Sequence, residues 1–413
     1  MNIEIIPHTL VGSVNAVASK SHAHRLLIAA ALSKRPPAIS IGTTSRDIEA
    51  TRTCLQQLRK EIPVLDCGES GSTLRFLLPV AMALKERAVF LGSGRLPQRP
   101  ISPLKEEMEA HGCTFINKHR KKGEAREICE IRGRLQGGIF TLPGNISSQY
   151  ITGLLYALPL LKENSRIQIT TPLESRGYVD LTLDVLKKFR IQIYTAEKEG
   201  CPTYMIEGRQ QYLPPGDMEA EGDWSNIAFW VIAGILSRDS GIICNGIDPQ
   251  SIQGDRAILN LARRMGGKVT EKGHSILVMS DSLRSTHIDA SAIPDLVPIL
   301  AVAASTAKGV THIHNAHRLR IKESDRLAAM YDCLSRVGAN IKEEPGGLLI
   351  EGVPQLKGGT VSGYNDHRIV MAMTVASIVS DSPIIIEGAE AVNKSYPTFF
   401  EDFEALGGEY RVL

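Results

Sequence analysis

The 413 residues hold no C-x-x-C pair, no apolar run of about 18 residues, and no excess of either charge. Each absence removes a class of protein. Seven scattered cysteines (Cys54, Cys67, Cys113, Cys129, Cys201, Cys244, Cys333) argue against a disulfide framework and suit a reducing compartment. A formal net charge of +2, with 22 % charged residues, argues against nucleic acid as the main partner. The opening "MNIEIIPHTLVGSV" has no basic n-region and no apolar h-region, so no signal peptide is expected. The expected location is cytoplasmic, with no membrane partner. Neither G-x-x-x-x-G-K-[ST] nor a strand-borne G-x-G-x-x-G occurs, so nucleotide binding of the usual kinds is unsupported. In "HIHNAH", His312 and His314 share a strand face near His317, but no coherent further ligands can be named, and no metal is expected. The one dense basic run, "KHRKKGEAR" (Lys118–Arg126), reads as a solvated hairpin loop.

What the chain does have is a repeat. A helix end, often a Gly turn, and then a strand recur in "CLQQLRKEI", "EMEAHGCTF", "VLKKFRIQI", "LARRMGGKV", "CLSRVGANI" and "FEALGGEY". Between these lie six more apolar helices: "SKSHAHRLLIAAAL", "ESGSTLRFLLPVAMAL", "SSQYITGLLYALPLL", "GDWSNIAFWVIAGIL", "DASAIPDLVPILAVAAS" and "NDHRIVMAMTVASIV". Apolar nearly all round, they are expected to be buried. The pattern predicts twelve helices in six units of an α/β protein. "QYLPPGDMEAEGD" (Gln211–Asp223), rich in Pro, Gly and acid, divides them three and three. Two halves on a thin connection leave a cleft, a common place for small ligands.

The buried helices open on polar residues: Lys20, Ser21 and Arg25; Gly71, Ser72, Thr73 and Arg75; Ser147, Ser148 and Gln149; Asp366, His367 and Arg368. Ser, Thr and Asp are ordinary caps. Lys20, Arg25, Arg75 and Arg368 are not, because a cation opposes the helix dipole unless an anion lies nearby. "RLRIKESDR" (Arg318–Arg326) repeats the anomaly ahead of an amphipathic helix, for which Ser324 is the expected N-cap. Backbone N–H groups, hydroxyls and cations together suit a small, multiply anionic ligand.

"SKSHAHR", "GSTLR", "RLPQRPISPL", "SSQYITGLL", "EGDWSNIAF", "IPDLVPILA", "RIKESDRL", "NDHRIVMA" and "NKSYPTFFEDF" occur in that order. Together they resemble the 5-enolpyruvylshikimate-3-phosphate synthase (3-phosphoshikimate 1-carboxyvinyltransferase) family over essentially the whole chain. The resemblance implies a two-domain enolpyruvyl transferase fold. Each domain would hold three β-α-β-α-β-β units with buried helices, and the active site would lie in the interdomain cleft. The expected domains are 13–217, and 1–12 with 218–413. It implies transfer of the enolpyruvyl group of phosphoenolpyruvate to the 5-hydroxyl of shikimate 3-phosphate, without metal or organic cofactor; separately, a monomer is expected.

The site residues follow by the same resemblance. Lys20, Ser21, Arg25, Ser147, Ser148, Gln149, Ser175, Asp295, Arg318 and Lys322 match the shikimate 3-phosphate side. Lys20, Gly71, Arg99, Gln149, Arg326, Arg368 and Lys394 match the phosphoenolpyruvate side. Asp295 matches the base for the 5-hydroxyl proton. Glu323 matches the acid for the methylene carbon, with Lys20 as the other catalytic group. Two positions depart from the family: Glu69 puts a negative charge in the glycine loop, and Arg318 stands where some members have Asn. The alternatives are UDP-N-acetylglucosamine enolpyruvyl transferase and a non-catalytic phosphate-binding protein. The first usually carries a Cys before its Arg-Pro, and "GSGRLPQRP" has none. The second explains the cations but not Asp295 and Glu323.

Overall fold

The computed structural model describes residues 1–116, 127–237, 241–280 and 282–413, so the basic run Lys118–Arg126 lies outside the described residues. The chain divides into two compact units: Lys20–Ala220, and a discontinuous unit of Met1–Ser19 with Glu221–Leu413. The breaks differ from those expected after 12 and 217, for a reason in strand pairing. Strand Gly12–Asn15 lies parallel to Ile242–Asn245, with Val14 opposite Cys244, and Ala18 bridges Gly222. Residues 13–19 therefore belong with the discontinuous unit.

The inserted unit, Lys20–Ala220, contains helices α1 (Lys20–Ala31), α2 (Arg46–Gln57), α3 (Gly71–Leu84), α4 (Leu104–Ala110), α5 (Ser148–Ala157) and α6 (Arg176–Lys188). The discontinuous unit contains α7 (Trp224–Leu236), α8 (Ile258–Arg264), α9 (Val297–Ser305), α10 (Arg326–Arg336), α11 (His367–Ala376) and α12 (Phe399–Ala405). The odd-numbered helices are the apolar ones. Every residue of α7, α9 and α11 is buried, as a helix without a polar face must be. Burying each large aliphatic or aromatic side chain of this kind is worth about 1.5–3 kcal/mol. None of the described helices is long and apolar enough to cross a membrane.

Among the described residues, three of the five four-stranded sheets share one connection: a parallel pair joined by an inner helix, then an outer helix and an antiparallel hairpin; in the other two, Gly12–Asn15 and Asn2–Ile6 supply a strand from far along the chain. In the inserted unit, Val64–Asp66 and Arg87–Leu91 flank α3, and the hairpin strands Cys113–Ile116 and Glu127–Gly133 follow α4. In the discontinuous unit, His287–Asp289 and Val310–His314 flank α9, and Asn340–Glu344 and Gly347–Glu351 follow α10. The sixth repeat is reduced to the two-stranded pair Ile39–Ser40 and Met218–Glu219. Pro36 and Pro37 precede one strand and Pro214 and Pro215 the other; proline donates no ladder bond, which keeps both strands short. The strand Asn2–Ile6 completes the last repeat, pairing with Ile384–Glu387 on one side and Glu409–Val412 on the other.

Four of the inner helices, α3, α5, α7 and α11, carry capping side chains at their starts. Ser70 accepts from the Thr73 N–H at 3.2 Å, Ser147 from Gln149 at 3.3 Å, Asp223 from Asn226 at 2.9 Å and Asp366 from Arg368 at 3.0 Å. Helix α10 is capped by Asp325, which accepts from the Ala328 N–H at 3.1 Å, and not by Ser324. The Ser324 hydroxyl donates instead to Asp366 at 2.9 Å. A charged cap suits the positive helix end better than a hydroxyl, and the serine serves the buried carboxylate.

Candidate active site

In the inserted unit the α1 start is neutralised by protein. Lys20 Nζ lies 3.0 Å from Asp47 Oδ2, a carboxylate in the first turn of α2. Arg25, one turn on from Ser21, is 2 % exposed. Its Nε donates to Thr182 Oγ1 at 2.8 Å, Nη1 to the Ser21 carbonyl at 2.7 Å and Nη2 to the Tyr178 carbonyl at 2.7 Å. Burial draws its pKa down to about 10. Arg25 thus ties α1 to α6, whose own N-cap, Ser175, sits in the left-handed region at φ 52. That conformation costs a non-glycine residue about 1–3 kcal/mol, a strain found most often at ligand sites.

A second group gathers at the starts of α3 and α5. Gly71 is crowded: a Cβ there would lie 2.6 Å from Arg75 Nη1 and 2.7 Å from Arg99 Nη1, so both guanidinium ends would have to shift. Arg75 Nη1 donates to Gln149 Oε1 at 2.9 Å, and Gln149 Nε2 donates to Ser72 Oγ at 3.0 Å. Gly71, Arg99 and Gln149 are therefore joined through Arg75, with Ser147 and Ser148 leading into Gln149. Glu69, the departure in the glycine loop, is turned toward the next loop: its carboxylate packs where a side chain on Gly94 would stand. Its charge is thereby set against "GSGR" rather than over Gly71.

In the discontinuous unit one guanidinium collects three carboxylates. Arg326 Nη1 donates to Asp295 Oδ1 at 2.8 Å, Nη2 to Glu323 Oε2 at 2.8 Å, and Nε to Asp366 Oδ2 at 2.8 Å. Asp295 stands in the short 3-10 turn Pro294–Leu296 ahead of α9. It also meets Arg368 Nη2 at 3.1 Å and Lys322 Nζ at 3.5 Å. Burial alone would raise the Asp295 carboxyl, but Arg368, Lys322 and Arg326 hold it well below the ordinary range against the push of Glu323. Burial lowers the Lys322 ammonium, with Asp295 opposing. Lys394 is buried and donates to the Asn365 carbonyl at 2.6 Å, while Arg318 Nη2 donates to the Ser291 carbonyl at 2.7 Å.

Arg320 lies outside this group. It binds Glu343 at 2.6 Å, Asp325 at 3.1 Å and the Pro345 carbonyl at 2.9 Å, fastening the chain to the Asn340–Glu351 hairpin. His312 Nε2 and Glu344 Oε2 are 3.0 Å apart and the His312 and His314 rings 5.4 Å apart. Among the described residues no group of three or more His, Cys, Asp or Glu side chains is arranged to hold a metal ion.

Sequence reasoning missed the counter-charges. Asp47 has the signature of any acid in a first helical turn, and Asp366 that of any N-cap; only the pairing in space marks them. Arg75 carried a signal, a cation at a helix start, but received no role.

The repeated fold is that of the enolpyruvyl transferases. The structure resembles EPSP synthase from Acinetobacter baumannii, with TM-score 0.77 at 20 % identity over 100 % of both chains. It also resembles the enolpyruvyl transferase NikO from Streptomyces tendae, with TM-score 0.75 at 16 % identity over 99 % of this chain and 98 % of that one. A family model described as EPSP synthase (3-phosphoshikimate 1-carboxyvinyltransferase) matches residues 5–63 and 60–403. The 3-phosphoshikimate 1-carboxyvinyltransferase of Clostridium novyi is 42 % identical, covering 98 % of both chains. That of Brachyspira hyodysenteriae is 40 % identical, covering 99 % of both. The chain belongs to the EPSP synthase family, and its members are transferase enzymes.

Proposed function

We propose that this chain transfers the enolpyruvyl group of phosphoenolpyruvate to the 5-hydroxyl of shikimate 3-phosphate, releasing phosphate. The product leads to chorismate and the aromatic amino acids. The observation that carries the division of roles is the shared hold of Arg326 on Asp295 and Glu323.

The chemistry needs a proton delivered to the methylene carbon C3, attack of the 5-oxygen on C2, and loss of the hydroxyl proton. The resulting tetrahedral adduct then loses a proton from C3 as the C2–O bond to phosphate breaks. Glu323 is the acid at C3, with Lys20 as the second proton carrier. Asp295, held ionised by its three cations, is the base for the 5-hydroxyl. A phosphate or carboxylate oxygen that takes over hydrogen bonds from Arg326 or Arg368 leaves Asp295 less stabilised and more basic. Ligand binding thereby readies the base.

Lys20, Ser21, Arg25, Ser147, Ser148, Gln149, Ser175, Arg318 and Lys322 serve shikimate 3-phosphate. Lys20, Gly71, Arg99, Gln149, Arg326, Arg368 and Lys394 serve phosphoenolpyruvate. Fixed cations also stabilise charge on the adduct, which is the largest contribution expected in such a site. A cytoplasmic monomer acting without a cofactor belongs to the same reading.

The test is phosphate release from phosphoenolpyruvate by purified protein. Release is expected only when shikimate 3-phosphate is added. Release with UDP-N-acetylglucosamine instead moves the assignment to that acceptor, and no release with either overturns the reading.

A further inference from the structure

Arg75 is the cation at a helix start that the reaction leaves unused. It is 3 % exposed, and its guanidinium is held on both edges by protein acceptors. Its Nε and Nη2 donate to the Pro100 carbonyl at 3.3 and 2.9 Å, and the Tyr150 hydroxyl donates to the same oxygen at 2.7 Å. The guanidinium also lies over the Tyr150 ring, 5.8 Å from its centroid. Pro100 follows Arg99 directly, so this anchored carbonyl sets where the Arg99 side chain departs from the backbone. On the other side Nη1 reaches Gln149 at 2.9 Å.

That last contact decides the orientation of an amide. A guanidinium has only donors, so the Gln149 atom facing Arg75 must be the carbonyl oxygen. The amide nitrogen is then directed toward Ser72, at 3.0 Å. With its oxygen occupied, Gln149 can offer an incoming anion only N–H. Were the amide free to turn, it could present its oxygen to a phosphate or carboxylate and repel it.

We propose that Arg75 is a positioning residue for phosphoenolpyruvate, fixing the donor end of the Gln149 amide and the departure point of Arg99. This deepens the functional reading above and rests on its assignment of Gln149 and Arg99 to that ligand. Arg75 is chemically suited to the role because its planar fork serves two acceptors on opposite edges; a lysine ammonium in its place cannot hold both in one geometry.

The experiment is steady-state kinetics of Arg75→Lys, Gln149→Ala and the double variant, with both substrates varied. Arg75→Lys is expected to raise KM for phosphoenolpyruvate about tenfold while kcat stays within about threefold. A loss of folded protein alone would lower kcat and leave KM unmoved. If Arg75 acts through Gln149, the double variant should be less impaired than the product of the single effects. Ser72→Ala, which removes the other partner of the amide, should raise the same KM about threefold and stands in if Arg75→Lys does not accumulate folded. An unchanged KM in these variants overturns the positioning role alone, and multiplying effects in the double variant overturn its route through Gln149. Absence of wild-type turnover with shikimate 3-phosphate overturns the functional reading, and the two failures are thus told apart.

Discussion

Arg326 and Asp366 form an ion pair shut off from solvent: Nε and Oδ2 are 2.8 Å apart and the side chains are 1 % and 0 % exposed. Burial works against both charges, yet Asp366, Glu323 and Asp295 raise the guanidinium above its ordinary value, and Arg326 lowers the Asp366 carboxyl. Asp366 is in addition the N-cap of α11 and the acceptor for Ser324. Removing Asp366 takes one of three carboxylates from buried Arg326, the cap from α11 and the acceptor from the buried Ser324 hydroxyl. Asp366→Ala should therefore cost about 3–5 kcal/mol of stability, read from urea denaturation of the purified variant. A loss below about 1 kcal/mol would show that water reaches the pair.

Glu323 is bound to the same arginine but is 18 % exposed, in reach of a ligand. Glu323→Gln keeps its shape and removes its proton. Turnover should fall about 10²–10⁴-fold, with shikimate 3-phosphate affinity changed little. Wild-type kcat in this variant removes Glu323 from the chemistry.

Gly71 has no room for a methyl group. Gly71→Ala must displace the guanidinium ends of Arg75 and Arg99, both within 2.7 Å of the new Cβ. KM for phosphoenolpyruvate should rise about tenfold, and KM for shikimate 3-phosphate should move much less. Equal changes in both constants would contradict a local displacement.

His22 gives the stability a pH dependence. Burial, then the nearby Lys188 and Arg25, lower its pKa from 6.5 to about 4, with Asp184 opposing. The folded form keeps it neutral while the unfolded chain protonates it, so stability is full above pH 6.5 and is lost as the pH falls toward 4. The loss from this one residue is on the order of 3 kcal/mol. His22→Gln should flatten the stability–pH curve across that window, measured by denaturation at a series of pH values. An unflattened curve would mean that other groups carry the acid sensitivity.

How far the sequence could be read depended on whether the signal was local. Inner helices declared themselves by being apolar all round, and α7, α9 and α11 are buried throughout. Outer helices declared themselves by their ends; left-handed Gly112, Gly266, Gly338 and Gly407 close four of them, and Arg190 at φ 64 closes α6 instead. The residues that pair across space were not legible. Gly12–Asn15 gave no hint of Ile242–Asn245 as its neighbour, and this moved the expected domain boundary. Nor could the sequence tell that Arg25 is occupied by Thr182 and Tyr178, or that Lys20 meets Asp47. Hydrogen-bond partners more than a turn apart leave no periodic trace.

The strand Asn2–Ile6 sits in the middle of its sheet, with Asn2 opposite Glu387 and Ile3 opposite Val412. Both of its neighbours are translated long after it. During synthesis the strand must wait, unpaired, while all of Lys20–Ala220 emerges and can collapse around its own inner helices. Closing a sheet over so long a stretch of chain is slow, since loop entropy is lost before the ladder forms. The inserted unit should thus acquire amide protection early on the ribosome, and the discontinuous unit only once Glu409–Val412 has cleared the exit tunnel.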